Sequence, residues 1–81
     1  MTKSDLSDLF NTVFPTADPN IPFESLELNS IPEWDSLGNL NLLLRIEEIF
    51  DIRFSSEELS EIKSIKAIII ILKSKGIYEN K

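Results

Sequence analysis

A chain of 81 residues makes one small domain with one core, too short for a cleft between two lobes. It has no cysteine and no histidine, which excludes disulfide frameworks, thiolate or imidazole zinc sites and any Ser–His or Cys–His catalytic pair. Its formal charge of −6, from 14 acidic and 8 basic residues, would repel phosphate backbones, so nucleic acid is not an expected partner.

The first element predicted is a helix over residues 4–14, where Leu6, Leu9, Phe10, Val13 and Phe14 recur at helical spacing and Asp5 and Asp8 suit the positive dipole end. All 4 prolines, Pro15, Pro19, Pro22 and Pro32, follow before Asp35, so the next stretch is a long ordered loop, pinned by Phe23, Leu26, Leu28 and Ile31. A second helix runs over 36–51, capped by Asp35 or Ser36. Ser55 with Glu58 three positions later is a capping box that opens a short third helix to about Ile62. The fourth segment, 64–75, ends at Gly76, with Lys73 and Lys75 suiting the negative dipole end. Its apolar run Ile68–Ile71 is ambiguous between helix and strand, and helix is expected because the chain offers no second strand. The fold class expected is therefore all-α: four helices in a single domain over 1–81, with the bundle at about 4–76.

The second helix carries two apolar stripes. Leu42, Leu43, Ile46, Ile49 and Phe50 form a full core face, while Ser36, Leu37, Leu40, Leu44, Glu47 and Glu48 fall on the other side. Two readings stay open at this point. Either all the leucines are buried and Ser36 is only a cap, or the second face docks proteins through apolar anchors ringed by carboxylates.

The run Glu33-Trp34-Asp35-Ser36-Leu37-Gly38, followed by Leu42-Leu43-Leu44-Arg45-Ile46-Glu47-Glu48-Ile49-Phe50-Asp51, resembles the acyl carrier protein family over about residues 4–76. The resemblance implies a four-helix bundle of the acyl carrier type. It also implies a non-catalytic carrier whose Ser36 is esterified by the 4′-phosphopantetheine arm of coenzyme A, with acyl groups held as thioesters on the arm's sulfur. Asp35 and Leu37 complete the signature that a magnesium-using phosphopantetheinyl transferase recognises. Leu37, Leu40 and Leu44, with Glu47 and Glu48, would meet acyl-loading and acyl-transfer enzymes. An acyl chain would slip among Leu42, Leu43, Ile46, Phe50, Ile65, Ile68 and Ile69. An anionic phosphodiester at Ser36 also suits the first turn of a helix.

The departures from the family pattern lie at Trp34, where many fatty-acid carriers have a small residue, at Gly38, and at Asn41 and Ile49, often acidic. They thin the acidic face, and the run Trp34-Asp35-Ser36-Leu37-Gly38 resembles specialised stand-alone carriers that serve dedicated pathways, in fatty acid or polyketide biosynthesis, more than the housekeeping fatty-acid carrier. Trp34 is expected to be a lid packed on the loop. The alternatives are an aminoacyl or peptidyl carrier and an unmodified interaction domain of the same fold. A calcium-binding protein is set aside, because no Asp-x-Asp-x-Asp-Gly loop is present. No signal peptide begins the chain and no apolar run approaches about 20 residues, so a cytoplasmic monomer without a membrane span is expected.

Overall fold

The computed structural model describes residues 1–79; Asn80 and Lys81, the last two residues of the expected domain, lie outside it. Four helices follow one another: α1 (Lys3–Val13), α2 (Ser36–Phe50), α3 (Ser56–Glu61) and α4 (Ile65–Ser74), with one 3₁₀ turn over Phe23–Ser25 in the first loop. No strand occurs among the described residues, and the run Ile68–Ile71 is helical. No described helix is long and apolar enough to cross a membrane.

Each helix begins on a side chain that accepts a backbone N–H left over by the first turn. Thr2 caps α1 in a reciprocal box with Asp5, a start one residue earlier than the apolar spacing implied. Ser55 and Glu58 form the expected box at α3, and Ser64 caps α4 through the Ala67 N–H at 3.0 Å. Helix α2 ends on Asp51 in the left-handed region (φ 53°). Helix α4 ends on Gly76 at φ 77°, with its N–H on the Lys73 carbonyl and the Ile77 N–H on that of Leu72. This is the paired closure that glycine makes cheap.

The core lies where the inner faces of the helices meet, and Leu6, Leu42, Leu43, Ile46, Ile65, Ile68 and Leu72 are fully buried there. The long loop is drawn onto it. Leu26 and Ile31 are buried, and the loop backbone bridges to the start of α4 through Leu28 N–H to the Lys63 carbonyl (2.7 Å) and Ile65 N–H to the Leu26 carbonyl (3.0 Å). One element of the expected core face needs correction. Ile49, at the outer margin of that face, is 52% exposed and lines an open groove between α1 and α2, and Phe50 and Ile69 stand half-buried at the core's edge.

Candidate functional site

The loop arriving at α2 is fixed by aromatic packing. Trp34, fully buried, sits edge-on to Phe10 at 5.3 Å between ring centres and tilted against Phe14 at 6.1 Å, so it belongs to the core itself; it is not a lid over the loop. Its indole Nε1 donates to Asn39 Oδ1 (3.0 Å), and Asn39 Nδ2 donates to the Ile62 carbonyl at the end of α3 (2.7 Å). One buried carboxamide thus joins the loop before α2, the first turn of α2 and the end of α3. Sequence reasoning passed over Asn39, since a polar residue at a helix position carries no signal of burial without knowing its partners. The residue before it is explained in the same way. A Cβ at Gly38 would collide with the Glu33 carbonyl and crowd the Phe14 ring, so the loop can fold back this closely only over glycine.

Asp35 is the cap of α2: its Oδ1 accepts the Gly38 N–H at 2.8 Å and its carbonyl accepts the Asn39 N–H at 2.8 Å. Ser36 is therefore the first helical residue, exposed, and its hydroxyl enters no hydrogen bond among the described residues. The N–H groups of Ser36 and Leu37 likewise have no partner there. Along the first turns of the same helix stand exposed apolar side chains: Leu37 at 67%, Leu40 at 40%, and Leu44 at 45%.

Farther along α2, Leu44, Glu47, Glu48 and Asp51 line a shallow groove of about 280 Å³ with Ile52 and Arg53. The two glutamates differ. Glu47 is half-buried and its Oε2 accepts the Phe54 N–H at 2.7 Å, tying the chain after α2 back to the helix, whereas Glu48 is exposed and makes no such bond among the described residues. The residues expected to sheathe an acyl chain come together across α2 and α4: Leu42, Leu43, Ile46, Ile65 and Ile68 are fully buried, with Phe50 and Ile69 at the margin. Phe54, buried under Lys75, is a core residue that helical periodicity could not flag because it lies between helices.

An exposed serine hydroxyl thus stands at the head of one helix, with exposed apolar side chains and carboxylates along the same helix. No family model matches the sequence, and no solved structure matches it significantly. The acyl carrier protein of Coprothermobacter proteolyticus is 30% identical over 70 residues, covering 86% of this chain and 84% of that one. A similarity reaching across nearly the whole of both chains, joined to four helices in this order, means that the chain belongs to the acyl carrier protein family.

Proposed function

We propose that the chain is a non-catalytic, monomeric carrier in the cytoplasm that bears a 4′-phosphopantetheine arm on Ser36 and presents acyl groups, held on it as thioesters, to biosynthetic enzymes. The observation that carries this reading is the division of labour at the head of α2. Asp35 supplies the cap, so the Ser36 hydroxyl is exposed and free to be esterified. The residues present fit the group. The N–H groups of Ser36 and Leu37 are without partners at the positive end of a 15-residue helix, which suits a phosphodiester on Ser36. The arm supplies the thiol that a chain without cysteine lacks.

In this reading Asp35 and Leu37 form the surface met by the phosphopantetheinyl transferase. The exposure of Leu37, Leu40 and Leu44 supports their use as anchors for acyl-loading and acyl-transfer enzymes, with Glu48 and the remaining oxygen of Glu47 steering basic side chains. The buried seam of Leu42, Leu43, Ile46 and Phe50 against Ile65, Ile68 and Ile69 is the apolar lining for an acyl chain.

The test is an intact mass spectrum after incubation with coenzyme A, magnesium and a broad-specificity phosphopantetheinyl transferase. The wild type is expected to gain one phosphopantetheine and Ser36→Ala none. Modification that persists in Ser36→Ala overturns the assignment.

A further inference from the structure

The α1–α2 side of the bundle holds a groove that the proposed function touches only at Phe50. It has a volume of about 410 Å³, and its walls are Asp5, Asp8 and Thr12 from α1 and Arg45, Ile49 and Phe50 from α2. Ile49 lies 13 residues beyond Ser36 on α2, about 20 Å along the helix axis, so this groove is remote from the hydroxyl.

Its chemistry is mixed in a particular way. Ile49 is 52% exposed and Phe50 half-buried, giving an apolar floor that no described residue covers. Asp8 and Arg45 line the same groove, yet among the described residues neither charged group enters an ion pair or a side-chain hydrogen bond, with each other or elsewhere. Asp5 already accepts the Thr2 N–H through one oxygen, and the Thr12 hydroxyl is occupied by the Asp8 carbonyl. An occupant complementary to these walls carries an apolar side chain for Ile49 and Phe50, a cation on the α1 side and an anion on the α2 side.

We propose that this groove is a second docking surface, and that its occupant is a segment of a partner protein presenting an apolar residue between a lysine or arginine and a carboxylate. The partner's orientation follows from the charge order, cation toward Asp5 and Asp8 and anion toward Arg45. The inference stands apart from modification at Ser36, because the surface is complete in the unmodified chain.

The experiment is a titration of the unmodified, isotope-labelled protein with a short helical peptide in which a leucine stands between a lysine and a glutamate. A peptide with the two charges exchanged is the control. The expected result is amide shifts centred on Asp8, Arg45, Ile49 and Phe50, with at least about tenfold weaker binding for the exchanged peptide, for Ile49→Ser and for Asp8→Lys. Binding should weaken further as salt is raised. Transferase modification of Ile49→Ser should match the wild type. The proposal is overturned by shifts centred on Leu37 and Leu44 instead, by equal response to both peptides, or by no binding. It is also overturned by a concentration-dependent self-association that Ile49→Ser abolishes, which would make the occupant a second copy.

Discussion

Asp35 and Ser36 are neighbours with opposite duties, and substitutions should separate them. Because the cap hydrogen bond to the Gly38 N–H comes from Asp35, Asp35→Ala is expected to cost about 1 kcal/mol of stability while Ser36→Ala costs almost nothing. Paired denaturant melts check this; a Ser36→Ala variant destabilised as much as Asp35→Ala would make the hydroxyl part of the fold. Gly38 is the stricter position. Its missing Cβ is what lets the Glu33 carbonyl approach, and backbone cannot rotate away as a side chain can, so Gly38→Ala should lose about 1–3 kcal/mol. A Gly38→Ala protein melting with the wild type would mean that the loop before α2 yields freely.

At the scale of elements, the polar bridge from Trp34 through Asn39 to Ile62 ties the loop before α2 and the first turn of α2 to the end of α3, 23 residues farther along the chain. Asn39→Leu keeps the number and branching of the side-chain heavy atoms but strands the indole N–H in the core and removes the donor to the Ile62 carbonyl. We expect a loss of about 2 kcal/mol or more, with faster amide exchange in α3. Unchanged protection of α3 would show that the bridge does not hold it. This bridge also marks where reading the sequence stops. Caps, periodic apolar positions and the closing Gly76 are local signals, so all four helices and the Ser55–Glu58 box were legible. The burial of Trp34, Asn39 and Phe54 depends on which distant segments meet, which no local pattern encodes. The exposure of Ile49 has the same origin: periodicity says which residues share a face but not how far a neighbouring helix covers its margin. For the candidate site, the Asp-Ser-Leu signature located the hydroxyl, but not the fact that Asp35 alone does the capping or that Glu47 is half engaged by Phe54.

Across the whole molecule, charge is distributed unevenly: residues 1–61 hold 13 acidic and 3 basic side chains, and the remainder 1 acidic and 5 basic. Folding brings some of this together. Lys75 reaches Glu58 at 3.3 Å, and Glu24, paired with Lys3, also feels Lys66 and Lys73. The Ser55 N–H first, and Lys75 after it, hold the Glu58 carboxyl below its ordinary value, and Lys3 does the same for Glu24. Depressed carboxylates stabilise the fold while ionised. Their contribution is whole above the ordinary glutamate value of 4.5 and disappears as pH falls through the lower folded values. Melting temperatures followed from neutral pH into that acid range should therefore decline, and Glu58→Gln should flatten the decline. Glu24 is exposed and Glu58 half-buried, both within reach of solvent ions, so the effect should also shrink with salt. A decline identical in the variant would assign the acid sensitivity to other groups.

Trp34 is the chain's single tryptophan, so its emission belongs to one known place. Enclosed by Phe10 and Phe14 and hydrogen-bonded to a carboxamide instead of water, the indole is shielded from solvent relaxation. Native protein should therefore emit well to the blue of free tryptophan and resist quenching by iodide. Because the same ring is joined through Asn39 to the end of α3, any event that loosens the α2–α3 seam will admit water to it. Partner docking that pries α3 away from α2 would then be visible in real time as a red shift of unlabelled protein. Docking confined to the exposed leucines would leave the spectrum still.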